Sequence, residues 1–336
     1  MIAEYFIIFV LFFLTVVLVY FYKKIAIYFK ITANPDFRTL HEKPTPRGGG
    51  IIFALIFIFV IAAFGNNFDL PQKMFYMLCI GGLIATIHGF IDDVYNIKPQ
   101  IKLVIQSLLG VWVVYWLISE GLLAFHWIPE FILIPLMIFF MIWIINAYNF
   151  IDGIDGMAAS GAIFISLSIA ILLIILNGSM ILIHIFALLL IVSSGFIIFN
   201  WPPASIFMGD SGSIFLGYIF GSLILYSVLT NEISIWSWLT VLGYFLADTT
   251  VTQIMRVILV KKWYLGHRSH AYQNLARITN SHFKVVVGIN IYNLLWVLPL
   301  TILSALTPEF AYITAILSIL PALIFSFKYG PSLSSS

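Results

Sequence analysis

The sequence predicts an all-α, polytopic integral membrane protein that crosses the bilayer about eleven times, with its chemistry gathered on the cytoplasmic face. Three observations lead there. Hydrophobic residues make up 62% of the 336 residues and charged residues only 9%, against roughly a quarter charged in an ordinary soluble domain. So few charges cannot cover a water-facing surface. The apolar residues are grouped into runs close to the roughly 20 residues that a helix needs to span hydrocarbon. Lysines and arginines fall almost entirely on one side of those runs. The same composition excludes a cytosolic enzyme, a secreted domain and a disordered chain. A net charge of +2 is too small for nucleic-acid binding, so no nucleic-acid partner is expected. The one cysteine, Cys79, lies inside an apolar run, excludes a disulfide framework or thiolate metal site, and reads as a packing residue.

The runs extend over about 3–22, 49–65, 74–91, 101–119, 130–148, 157–176, 179–199, 212–229, 233–258, 285–305 and 308–327. Short polar breaks such as Asn177-Gly178 and Thr307-Pro308-Glu309 separate them. With the first run crossing from outside to inside, every lysine and arginine but Lys73 falls on the inner side, which places the N-terminus outside and the C-terminus in the cytoplasm. Residues 1–327 then form one membrane domain and 328–336 a short cytoplasmic tail.

The inner segments hold nearly everything capable of chemistry. Arg38 to Gly50 offers cations, among them Lys43, followed by three glycines, a composition that suits a phosphate cradle as well as a basic loop touching anionic lipid. Asp92 and Asp93 end an apolar helix, where the helix dipole disfavours acids, so a lysine or a divalent cation should compensate. Lys102 and, one turn on, Gln106 begin the next helix and can face back toward the pair. Asn149, Asp152 and Asp155 recur every three residues, a spacing that lets one helical face present all three. Their oxygen donors suit a hard cation such as magnesium. Asp210 opens a helix between Gly209 and Gly212, with Phe207 offering a flat face for a base. Lys261 to Gln273 brings cations, aromatics, His267, Arg268 and His270 together, a set suited to a diphosphate and a sugar. Asp248 is the one acid inside an apolar run and is therefore a functional candidate. His88, His126, His184 and His282 belong to no constellation and read as structural. Taken together, carboxylates for a divalent cation, cations and glycines for phosphate, and an aromatic for a ring describe phosphoryl transfer at a membrane surface.

These motifs resemble the polyprenyl-phosphate N-acetylhexosamine-1-phosphate transferases, glycosyltransferase family 4. The likeness runs from Pro44–Gly50 to the histidine loop and is most specific at Asp92-Asp93, Asn149–Gly156 and Phe207–Ser213. It implies transfer of an N-acetylhexosamine 1-phosphate from a UDP-sugar to undecaprenyl phosphate, with release of UMP, at the bacterial inner membrane. Residue by residue, it implies Asp92 and Asp93 as the catalytic acids and Asn149 and Asp210 as ligands of Mg2+, with Mn2+ as a substitute. It further implies Lys43, Lys102, Asp152, Asp155, Phe207, His267, Arg268 and His270 as substrate contacts, and is compatible with a homodimer. The histidine loop reads His267-Arg268-Ser269-His270, not a run of adjacent histidines, and so resembles enzymes that initiate O-antigen or capsule units. The alternative within the family is the phospho-N-acetylmuramoyl-pentapeptide transferase of peptidoglycan synthesis. A lipid or solute transporter ranks lower, because apart from Asp248 the acids avoid mid-span positions and the two halves show no match. A CDP-alcohol phosphotransferase would need an acid-rich helix that the sequence lacks.

Overall fold

A computed structural model describes residues 2–33, 44–65, 70–122, 128–259 and 269–331. Lys43, His267 and Arg268 lie outside the described residues. The fold is all-α, apart from a two-residue antiparallel pairing of β1 (Thr32–Ala33) with β2 (Thr45–Pro46). The helices in chain order are α1 (Ile2–Tyr28), α2 (Gly50–Phe64), α3 (Gln72–Tyr95), α4 (Pro99–Ser119), α5 (Glu130–Ile151), α6 (Met157–Ile175) and α7 (Met180–Asn200). They continue with α8 (Asp210–Leu229), α9 (Ile235–Val241), α10 (Gly243–Leu259), α11 (Ala271–Thr279), α12 (His282–Leu306) and α13 (Ala311–Tyr329).

Nine helices among the described residues are long and apolar enough to cross a bilayer. The expected count of eleven is not reached by length, for two local reasons. α2 keeps its apolar character but has only 15 residues. The run expected at 233–258 is interrupted at Leu242, dividing it into α9 and α10. There Ser318 of α13 donates its hydroxyl to the Thr240 carbonyl at 2.7 Å, competing for an acceptor that an unbroken helix would use itself.

Helix ends follow local chemistry. Pro99 opens α4, where its missing N–H costs nothing. Asn96, left-handed at φ 51°, closes α3. Ser234 and Ser281 accept backbone N–H groups at the starts of α9 and α12. A π-turn at Asn293–Val297 in α12 precedes Pro299, whose ring and missing donor disturb the ordinary ladder.

α8 is the central helix: 78% of its apolar window is buried, against 17% for α1. It packs on α2, α3 and α5. Two contacts at its N-terminal end leave no room for a side chain. A Cβ on Gly50 would lie 2.3 Å from the Gly212 Cα, and one on Gly89 would lie 2.1 Å from the Asp210 carbonyl oxygen. Small residues thus let α2 and α3 approach α8 backbone to backbone, which brings these three helix ends together.

Candidate active site

Asp92 and Asp93 come from the C-terminal turn of α3, Lys102 from the first turns of α4, Asn149 from the end of α5 and Asp210 from the first residue of α8. Lys102 bridges two of the acids: its ammonium bonds Asp92 Oδ2, and lies 3.2 Å from Asp210 Oδ2. Asp92 Oδ1 accepts the Ile97 N–H at 2.6 Å, which folds the α3–α4 turn beneath it. Asn149 donates Nδ2 to Asp210 Oδ1 at 3.0 Å and to Ser213 Oγ at 2.9 Å. The compensating cation expected beside the acid pair is therefore Lys102, and residues 118 positions apart in sequence share one cluster.

The structure separates the roles of the two neighbouring acids. Asp92 faces Lys102. Asp93 turns the other way and accepts the N–H groups of Asp210 and Ser211, both at 3.0 Å. It is 3% exposed and serves as the N-terminal anion of α8, supplied by another helix. Gly209 makes this possible: its φ of +75° is the left-handed conformation, and a Cβ there would come within 2.5 Å of the Asp93 carboxylate.

The turn after α5 is fixed from three sides. Asp155 accepts the Ala204 N–H at 2.9 Å and lies 3.2 Å from Nδ1 of His282. The Gly156 N–H donates to Asn200 Oδ1 at 3.1 Å, and the Phe150 carbonyl accepts the Tyr272 hydroxyl at 2.5 Å. Asp152 receives the Gly209 N–H; burial, reinforced by the charges of Asp210 and Asp93, nevertheless holds its carboxyl well above the usual carboxylate range. His270 is buried and pairs with Asp248, Nδ1 to Oδ2 at 3.4 Å, while Asp248 Oδ1 accepts the Ala271 N–H at 2.9 Å. Asp248 thus tethers the start of α11 to α10 instead of facing an open channel. The His270 ring lies 5.6 Å from that of Phe150, the neighbour of Asn149.

Two donors of the glycine segment are used within the protein. The Gly49 and Gly50 N–H groups donate to the carbonyls of Phe207 and Met208, at 3.0 and 2.9 Å, and Phe207 N–H donates to Pro46 at 2.8 Å. These donors position the turn that carries Phe207 and Asp210. Phe207 is half-buried beside the cluster. His282, read from the sequence as structural, proves to be the partner of Asp155. No spacing signal marks it, because 127 residues separate the two. Ser213 lies in the Phe207–Ser213 motif without an assigned role there, and the first turn of α8 brings it to Asn149.

Magnesium suits these groups. The donors are amide and carboxylate oxygens, and among the described residues Asp92, Asp93, Asp152 and Asp210 outnumber the cations that act on them, Lys102 and Arg47. Among the described residues no three His, Cys, Asp or Glu side chains form a ready cage. Magnesium does not need one, since it commonly takes one or two protein carboxylates and completes its shell with water and substrate phosphates.

The pattern of glycosyl transferase family 4 matches residues 75–228, the stretch that carries Asp92, Asp93, Lys102, Asn149 and Asp210. A probable undecaprenyl-phosphate N-acetylglucosaminyl 1-phosphate transferase from Bacillus subtilis is 32% identical over 298 residues, covering 85% of this chain and 80% of that protein. The chain belongs to glycosyl transferase family 4. Other members of the family align over less of their length. A decaprenyl-phosphate N-acetylglucosaminephosphotransferase from Mycolicibacterium smegmatis is 32% identical, over 59% of this chain and 53% of its own. A phospho-N-acetylmuramoyl-pentapeptide-transferase from Prochlorococcus marinus is 29% identical, over 57% of each. Of these three alignments, the one to the Bacillus subtilis protein covers the most of this chain.

Proposed function

We propose that the protein transfers an N-acetylhexosamine 1-phosphate from a UDP-sugar to undecaprenyl phosphate, releasing UMP, at the cytoplasmic face of the bacterial plasma membrane. The observation that supports this most directly is the convergence of Asp92, Lys102, Asn149 and Asp210 from four helix ends, in a chain similar over 85% of its length to an enzyme named for that class of transfer. The lipid phosphate approaches from the bilayer and meets the ammonium of Lys102, which neutralises it. A phosphate monoester is largely dianionic near neutral pH, so Asp92 need only orient Lys102 and the incoming oxygen. That oxygen forms a bond to the sugar-proximal phosphorus. The bond from this phosphorus to the bridging oxygen breaks, and the bridging oxygen leaves with UMP. Asn149 and Asp210 are the residues that would hold Mg2+, which when bound supplies charge neutralisation for the diphosphate. Asp152 and Asp155 shape the turn that carries Asn149, and Phe207 borders the place assigned to the uracil. Lys43, His267 and Arg268 are assigned to substrate phosphate and sugar. A single displacement fits better than a covalent route through Asp93, because both oxygens of that carboxylate are engaged by backbone N–H groups.

The sugar is assigned to the N-acetylhexosamines that start O-antigen, capsule or related envelope polysaccharides. The test is a donor panel: purified protein, undecaprenyl phosphate and Mg2+ with UDP-GlcNAc, UDP-GalNAc and UDP-MurNAc-pentapeptide, reading UMP. Release with an N-acetylhexosamine donor supports the assignment. Release with the muramoyl-pentapeptide alone would move the protein to the peptidoglycan reaction, and a stable phospho-enzyme after quenching would overturn the single displacement.

A further inference from the structure

The three helices that carry Asp92, Lys102 and Asn149 each carry a second polar residue about one turn further into the bilayer: His88 on α3, Gln106 on α4 and Asn146 on α5. α3 and α5 reach the site at their C-terminal ends and α4 leaves it at its N-terminal end. The three residues therefore lie at one depth, roughly 5–6 Å below the reacting groups. Two of them satisfy each other. Asn146 Nδ2 donates to Gln106 Oε1 at 2.6 Å, and Gln106 Nε2 donates to Asn146 Oδ1 at 3.3 Å. The third is unmatched: His88 is 3% exposed, and neither Nδ1 nor Nε2 has a hydrogen-bond partner among the described residues. A polar ring at this depth is costly when nothing bonds to it, and an apolar side chain would fill a packing position without that cost. The charged groups that act on the ring are Lys102 and Asp210, the two already joined across the cluster above it. An imidazole so enclosed is out of reach of substrate and must act through a neighbour.

We propose that His88 is a positioning residue for Lys102, its ring holding an ordered water beneath the ammonium that accepts the N–H taken by neither Asp92 nor Asp210. A lysine ammonium has three donors. With this water they have three acceptors, and Lys102 is held in one orientation before the acceptor phosphate replaces Asp210 at one of them. The inference deepens the transfer reading and rests on it.

The test compares His88→Leu and His88→Gln in purified protein, with steady-state UMP release and thermal unfolding in the same detergent. Leu removes the buried polar ring and should leave the unfolding temperature equal or higher. It should also raise the KM for undecaprenyl phosphate by roughly 10- to 100-fold, with the KM for the UDP-sugar unchanged. Gln, which can hold the same water, should recover most of the loss. A wild-type KM for the lipid in His88→Leu, or a Gln variant no better than Leu, would overturn the proposal. Failure of the transfer reading itself shows separately, as no UMP release from the unsubstituted protein.

Discussion

Replacing Asp93 by Asn removes one negative charge and turns one of two acceptor oxygens into a donor. In the native site those oxygens take the N–H groups of Asp210 and Ser211, both at 3.0 Å and out of water. The amide oxygen of Asn can keep one of them. The other N–H then faces an NH2 group, and the α8 N-terminus loses its anion. Hydrogen bonds to a charged group contribute about 1.5–3 kcal/mol each, and the helix-end charge about 0.3–1 kcal/mol. A loss of about 2–4 kcal/mol in stability follows, together with a shift of the Asp210 backbone. Misplacement by about 1 Å costs on the order of 100-fold in rate. Activity and stability should therefore fall together in Asp93→Asn, while Asp93→Glu, longer by one methylene and with no free space beside Gly209, should fare no better. The assay is UMP release alongside denaturant or thermal unfolding of the purified variant. A variant that unfolds like the parent yet has lost all transfer would refute the anchoring role and return Asp93 to the chemistry.

Other outcomes follow from the same geometry. Asp210→Asn or Asp92→Asn should abolish UMP release while the protein remains folded and membrane-inserted; near-normal turnover in either would remove the assigned role. Lys102→Met should raise the KM for lipid phosphate more than that for the UDP-sugar, and an equal rise in both would show that Lys102 does not select the acceptor. Because the folded Asp152 pKa is raised, the metal-free protein binds more protons at that position folded than unfolded. Its stability should then decline as pH rises from the ordinary carboxylate range toward the raised value. Unfolding in chelator across pH should show that slope, flattened in Asp152→Asn.

What the sequence revealed and what it hid divide along a physical line. Span length and apolar content are properties of contiguous chain, and they placed nine long helices and the polar turns between them. The motifs at Asp92-Asp93, Asn149–Gly156 and Asp210 were legible because each is compact. The break at Leu242 was not, because its cause is a hydroxyl from Ser318, 76 residues further along the chain. The Gly49 and Gly50 donors looked available for phosphate because sequence cannot show that the Phe207–Met208 carbonyls already receive them. Asp155 with His282 and Asp248 with His270 are likewise contacts made only by the packed bundle.

The local charges of the site run against local rules, and this ties its stability to its chemistry. Asp92 and Asp93 sit at the negative end of α3, and Lys102 sits at the positive end of α4. On an isolated helix all three placements are unfavourable. Each is corrected by neighbours: Asp93 by the positive end of α8, Asp92 by Lys102 and the Ile97 N–H, and Lys102 by Asp92 and Asp210. A chain under no demand but stability would exchange these positions. Here the exchange would dismantle the bridge from Asp92 through Lys102 to Asp210, the one arrangement that sets an ammonium between two carboxylates at the lipid boundary. Local misfit relieved only by the assembled fold is the expected mark of a site kept for its chemistry. It implies that single charge reversals will be worse than neutralisations. Lys102→Glu removes the ammonium and sets a third carboxylate against Asp92 and Asp210, whereas Lys102→Met only removes the ammonium. Their difference in unfolding, measured side by side, should exceed the difference that the same pair of substitutions makes at the half-buried Lys73, which faces one carboxylate, that of Glu120.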